Sequence, residues 1–278
     1  MAKLTIKNPP FSNVVAAGVA TVSLRNIIGY TLERIILVLG GTALTKAMLT
    51  SIKVKVNGKV IIDDDGTNMD KRMKFRGVYD AAGYLAIDFT EIRARTIIGQ
   101  MMGAIDTSLG IEDITLEITI AGATAPTLES YSVLSEPQVS DDGKNLPYRG
   151  LIAKVLQYPH SFAGAGKQAL QLPFGKQGGS LIKRLHLFHS GNVASVEVKA
   201  NGLVVFDNVA TALNSFSQQE NQKTPQANVY TLDFISDNNQ SNMLDTRSLR
   251  NLELYTTLTG AEANLKVYAE LLDPLANN

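Results

Sequence analysis

The chain has 278 residues, room for one large domain or two ordinary ones, and is 45% hydrophobic and 19% charged, the profile of a packed globular protein. Twenty-six Lys and Arg balance twenty-six Asp and Glu, so the composition carries no electrostatic footprint for nucleic acid. Cysteine is absent, which excludes disulfides, thiolate metal sites and cysteine nucleophiles together.

The opening "MAKLTIKNPPF" lacks the apolar core of a signal peptide, so no leader is expected. The stretches "AAGVATVSL" from Ala16 and "YTLERIILVLGG" from Tyr30 read as strands. The apolar run after Arg34 breaks at Gly40, Gly41 and Lys46, too soon to cross a bilayer, so a soluble chain is expected. In "SIKVKVNGKVIID", Ser51 to Asp63, Ile52, Val54 and Val56 alternate with Lys53 and Lys55, the period of a strand with one buried face. Asn57-Gly58 then supplies the positive φ pair of a tight hairpin. A helix-compatible insert, "GTNMDKRMKFRGVYDAAG", precedes further strand patterns at "LAIDF", "AIDT", "ITLEITIAG" and "TLESYSVLSEP". The stretch "QVSDDGKNLPYRG" has loop chemistry, with Asp-Gly and Pro as breakers.

Beyond the join the same series returns. "SVEVKANGLVVFD", Ser195 to Asp207, aligns without a gap on the first hairpin, with seven of thirteen positions identical. Around it "GAGKQALQL" matches "AAGVATVSL", and "SLIKRLHLFHSG" matches "YTLERIILVLGG", with Arg184 on Arg34. "YTLDF", "MLDT", "LELYTTLTG" and "NLKVYAELLDP" follow in the order of their counterparts. Matches that stay collinear over the whole chain mean two copies of one β-domain. We therefore expect a first domain over 1–137, a linker over 138–160 and a second domain over 161–278. Seven or eight short strands per copy suit a β-sandwich, and eight in two sheets is the jelly-roll count. The second insert, "NVATALNSFSQQENQ", is expected to be capped by Asn208, with Val209, Leu213 and Phe216 on one face.

The combination of "VAAG…VSL", the "VKVNGKVI" hairpin, the insert, "YLAIDF" and "YRGLIAKVLQYP" resembles corticovirus major capsid proteins. Those belong to a double jelly-roll lineage shared with tectiviruses and adenovirus hexon. The resemblance implies an all-β chain of two tandem eight-stranded sandwiches with short helical inserts. It also implies a bacteriophage capsid subunit made in the host bacterial cytoplasm, forming homotrimers that tile an icosahedral shell around a lipid membrane and double-stranded DNA. Penton and membrane-associated virion proteins, and the internal membrane itself, would be the other partners, with no sequence-specific contact to nucleic acid. Calcium is associated with such capsids.

Little chemistry competes with that reading. The dense carboxylates Asp63, Asp64 and Asp65 are candidates for a Ca²⁺ site or, as the plainer alternative, for a turn that caps the insert helix; Asp141-Asp142 is a second such cluster. Lys71, Arg72, Lys74 and Arg76 read as a solvated helix face or a contact for an acidic neighbour. His186 and His189 invite a bicupin metal site, but residues three apart on a strand face opposite ways, so buried, hydrogen-bonded imidazoles are expected; His160 has no obvious partner. "GAGKQ" lacks the remainder of a phosphate loop and reads as a turn. A tandem carbohydrate-binding module is the alternative function, weakened by the absence of tryptophan for sugar stacking. The unbroken apolar runs Ile35–Leu39 and Val60–Ile62 further predict that the outer face of the first copy is covered.

Overall fold

Period-two alternation is expressed most plainly at Ile114–Ile120, where Ile114, Leu116, Ile118 and Ile120 are buried and the residues between them are not. The protein, seen in a computed structural model that describes residues 3–139, 143–146 and 148–277, divides into two compact units. Unit one takes the described residues within 1–73, 78–155 and 273–278; unit two takes 74–77 and 156–272.

Unit one contains β1 (Leu4–Lys7), β2 (Gly18–Ser23), β3 (Thr31–Thr42), β4 (Leu49–Val56), β5 (Lys59–Asp64), β6 (Tyr84–Asp88), β7 (Ile105–Asp106), β8 (Ile114–Ile120) and β9 (Ala125–Ser135). One sheet runs β1-β9-β3-β6, with the two-residue β7 also on β3; the other runs β2-β8-β4-β5. Helix α1 (Gly66–Arg76) lies between β5 and β6, and α2 (Ile97–Met101) between β6 and β7. The first half of β10 (Leu151–Phe162) also belongs here, and its Val155 pairs in parallel with Ile62 on β5.

Unit two begins with the second half of β10 and continues through β11 (Gly166–Ala169), α3 (Gly175–Gly178), β12 (Leu181–Phe188), β13 (Val193–Ala200), β14 (Leu203–Ala210), α4 (Thr211–Glu220), β15 (Val229–Asp233), β16 (Leu244–Asp245), β17 (Leu252–Leu258) and β18 (Glu262–Pro274). Its sheets run β10-β18-β12-β15, with β16 on β12, and β11-β17-β13-β14. Strand for strand this is the order of unit one, so each unit is a jelly roll of eight strands plus a short ninth, and the chain is a double jelly roll. Leu185, Leu187, Val196, Val198, Leu232, Leu254, Val267 and Leu271 fill the core of unit two.

Four local features differ from expectation. The expected linker is not loop throughout: from Leu151 on it is strand, as β10. Asn208 does not cap α4. It sits in β14 with φ 50° and accepts from Ser195 Oγ at 2.6 Å, so the strand runs on to Ala210 and takes Val209 with it. Leu213 and Phe216 do share a face of α4, but an exposed one. The inward face is polar: Asn214 Nδ2 and Gln218 Nε2 both donate to the Thr231 carbonyl, at 2.9 and 2.7 Å. That carbonyl lies on β15, the end strand of its sheet, and a backbone acceptor away from water requires donors more than a helix requires an apolar face. The outer cover on unit one is partial. Ile61 and Ile62 are both buried, whereas along β3 burial still alternates and leaves Ile36 and Val38 half-buried.

Candidate functional site

The charged groups of this chain are organised by the repeat. On β3 a bulge between Leu32 and Arg34 turns Arg34 toward Asp88 on β6, and its Nε donates to Asp88 Oδ1 at 2.5 Å. On β12 the bulge recurs between Ile182 and Arg184, and Arg184 Nε lies 3.0 Å from Asp233 Oδ1 on β15. Arg184 Nη1 also donates to Glu270 Oε2 at 3.0 Å. Behind each bulge the next backbone tie repeats as well, Phe89 N–H to the Glu33 carbonyl and Phe234 N–H to the Lys183 carbonyl, both at 3.1 Å. Thr107 and Thr246 complete the set. Each donates its hydroxyl to the carbonyl just ahead of the long central strand, Tyr30 at 2.6 Å and Ser180 at 2.9 Å.

The aspartates read as cation candidates are dispersed. Successive residues of β5 face opposite ways, so Asp63 and Asp64 do not converge. Asp64 is buried and paired with Arg72 of α1, whose Nε and Nη2 both donate to its Oδ2. Burial pushes the Asp64 carboxyl up to about 6, with Arg72 pulling against it. Asp65 caps α1, accepting from the Asn68 N–H and the Asn68 side-chain amide, each at 2.8 Å. Asp63 lies opposite Lys53 in the hairpin register. Among the described residues no three His, Asp or Glu side chains group to hold a metal ion. Asp141-Asp142 lies outside the described residues.

The basic run is not a solvated face throughout, because Arg72 and Arg76 are buried. They are four apart and follow Met69 and Met73, which are also buried, so one helix face carries all four. His186 is fully buried, with Nδ1 at 2.9 Å from Thr231 Oγ1, Nε2 at 3.4 Å from Glu270 Oε1 and its ring edge-on to Phe75. His189 lies past the end of β12 and accepts from the Gly191 N–H. His160 has partners after all: Nε2 accepts from the Gln171 N–H at 3.0 Å and Nδ1 faces the Tyr158 carbonyl. "GAGKQ" is a turn that enters β11 at Gly166.

What remains for function is the rim of the sheets. Among the described residues, β5 of unit one is flanked by β4 and β10, whereas β14 of unit two has β13 alone. Leu203, Val204 and Val205 on β14 are exposed, beside Leu213 and Phe216 of α4. An apolar sheet edge left open is a docking surface or an aggregation hazard. The sequence held a signal for it in "LVVF", a run of the same kind as Val60–Ile62, but a run alone does not tell a covered strand from an open one.

Residues 5–138 match the model of the viral coat protein P2 N-terminal domain, and residues 152–275 match that of the viral coat protein P2 C-terminal domain. The chain belongs to the viral coat protein P2 family. It is a viral capsid protein, which sets aside the carbohydrate-binding alternative. No curated protein sequence matches it. Among solved structures, the major capsid protein P2 from bacteriophage PM2 is 18% identical, with a TM-score of 0.84 over 98% of both chains. An atomic structure of Sulfolobus turreted icosahedral virus gives 15% identity and a TM-score of 0.68 over 96% of this chain and 90% of that one. The PBCV-1 virus capsid gives 12% and 0.63 over 98% and 93%. These likenesses show a shared fold. For this P2-family chain they place the two jelly rolls among corticovirus-like capsid folds.

Proposed function

We propose that the protein is the major capsid subunit of an icosahedral double-stranded DNA bacteriophage with an internal membrane. It acts as a homotrimer that presents six similar β-domains and lacks enzymatic activity. The observation that carries this reading is the equivalence of the two units in strand order, bulge position and Arg–Asp pairing. Three chains of two such modules approximate a hexagonal outline, which tiles an icosahedral facet. Closed cyclic symmetry gives every subunit the same contacts and stops growth until capsomers meet. Penton and membrane-associated virion proteins are the neighbours such a capsomer meets in the virion. Synthesis takes place in the bacterial cytoplasm before assembly.

The bonds of Asp64 to the buried Arg72 and of Asp65 to Asn68 favour the turn and helix-capping role for that cluster over a calcium site. Light-scattering mass of the purified protein in mild salt, followed by electron microscopy of concentrated samples, tests the reading. A stable trimer that goes on to larger shells or hexagonal sheets is the expected result. A monomer or dimer over a wide concentration range overturns it.

A further inference from the structure

The two jelly rolls have one equivalent edge, and it is closed in only one of them. In unit one it is β5, where Ile62 sits across the hairpin from Val54, just past a bulge, and is covered by the parallel bridge to Val155. In unit two it is β14, where Phe206 sits across from Val198, also past a bulge, and no strand follows. The consequence is visible at equivalent positions: Ile61 and Ile62 are at most 1% exposed, whereas their counterparts are not fully covered, Val205 being 38% exposed and Phe206 half-buried.

The segment that closes β5 has a recognisable position in the chain. Leu151–Val155 is the leading part of β10, the first strand of a jelly roll, and Pro159 follows Val155 by four residues. One other segment fits that description. β1 is the first strand of unit one, and Pro9 follows Thr5 by four residues. β1 also ends its own sheet, with β9 as its one neighbour, and Leu4 is exposed on it. Two open edges of matching type therefore exist on every copy. One corresponds to the strand that is covered in unit one, the other to the strand that covers it.

We propose that β1 of one copy pairs in parallel with β14 of the next, with Thr5 beside Phe206, so that each subunit closes the open edge of its neighbour. The occupant is a second copy of this chain, because β1 holds in its jelly roll the place that β10, the strand that closes β5, holds in the other. Pairing satisfies the free N–H and C=O groups of both strands and covers Leu203, Val204 and Val205. The contact is head-to-tail, so it propagates until the ring closes. It rests on the self-assembly proposed above and adds the surface and register by which it occurs.

The absence of cysteine makes the test clean. Thr5→Cys with Phe206→Cys, mildly oxidised and run on a non-reducing gel, is expected to give disulfide-linked dimers and trimers. Directly opposed strand residues lie within disulfide reach. Ile62→Cys with Val155→Cys is the positive control and gives an intrachain link. Lys7→Cys with Phe206→Cys samples a register two residues on, and a link there supports the same pairing of strands. Val205→Lys, on the exposed edge, is expected to leave the thermal unfolding of the chain unchanged and to raise the trimer dissociation constant at least tenfold. Trimers that persist in light scattering with no interchain link from either pair, and with Val205→Lys assembling normally, overturn the edge pairing while leaving self-assembly intact. A link confined to single chains overturns it as well. A protein that stays monomeric overturns both readings.

Discussion

Asn57 and Asn201, 144 residues apart in sequence, share three bonds to the same places in the fold. Each has a positive φ, 47° and 50°, and each precedes a glycine at φ 82° or 81°. The Asn57 N–H donates to the Asp113 carbonyl and the Asn201 N–H to the Asn251 carbonyl, both at 2.9 Å. Their side-chain oxygens then accept from two successive backbone N–H groups, Glu112 and Asp113 at 2.9 and 3.3 Å, Arg250 and Asn251 at 2.8 and 3.2 Å. The asparagine thus both turns its hairpin and ties it to the loop that enters the neighbouring strand. This explains why asparagine, rather than a second glycine, stands at both tips.

Replacing either asparagine with alanine removes the side-chain acceptor and puts an unfavoured residue in the left-handed region. Asn57→Ala and Asn201→Ala should each lower stability by about 1–2 kcal/mol. Asn57→Gly keeps the backbone freedom and loses only the bonds, so it should cost less than Asn57→Ala. Urea unfolding of the three variants checks the order; an Asn57→Gly as damaging as Asn57→Ala would mean that the turn geometry contributes nothing.

Arg184 should matter more than its counterpart Arg34. Its side chain is 1% exposed and serves both Asp233 and Glu270, so Arg184→Met strands two buried carboxylates, at a cost of about 3–5 kcal/mol. Arg34 is itself 15% exposed, and Arg34→Met removes the ion pair of one buried carboxylate, Asp88, rather than of two, so a smaller loss of about 1–3 kcal/mol is expected there. Arg184→Lys should recover little, since an ammonium cannot span the two acceptors as a guanidinium does. Denaturation midpoints of the three variants decide it, and equal losses for Arg34→Met and Arg184→Met would show that burial is not the governing factor.

The features legible in the sequence are those set by local chemistry. A period of two and an Asn-Gly step identify both hairpins and both sandwiches before any coordinates, whereas the repeated "DF" that holds the partners of Arg34 and Arg184 reads only as strand until the fold is known. Features decided by what lies across the fold were misread. The apolar residues of α4 suggest an inward face, yet Thr231 at the sheet edge takes Asn214 and Gln218 instead and leaves Leu213 and Phe216 outside. The charges of α1 suggest solvent, yet Arg72 is drawn in by Asp64. Its spacing from Met69, Met73 and Arg76 was the available clue. The open β14 edge has no decisive local signature, since the run "LVVF" is of the same kind as the covered Val60–Ile62. It follows from comparing one copy with the other after the strand order is known.

Asp64 and Asp106, both buried in unit one, should respond to pH with opposite signs. Burial lifts the Asp64 carboxyl from an ordinary 3.8 to about 6, against the pull of Arg72. Between those values the folded chain holds a proton on this group that the unfolded chain has released. Folding stability from Asp64 is therefore complete below pH 4 and falls as pH rises through 6, by about 3 kcal/mol in all. Asp106 behaves the other way. Burial pushes it up, but hydrogen bonds from Ser108, Arg149 and the Gln138 N–H outweigh that and hold it below the usual range. Its contribution is present above the ordinary carboxylate value and is lost as pH falls through its own lower one. Relative to the unaltered protein, Asp64→Asn should therefore gain stability as pH rises from 4 to 7, and Asp106→Asn should lose it over the acidic part of that range. Urea unfolding at pH 4, 5, 6 and 7 measures both differences. An Asp64→Asn variant that instead loses stability relative to the unaltered protein as pH rises would show that the ion pair with Arg72 outweighs burial, holding the carboxyl below 3.8 and reversing the sign.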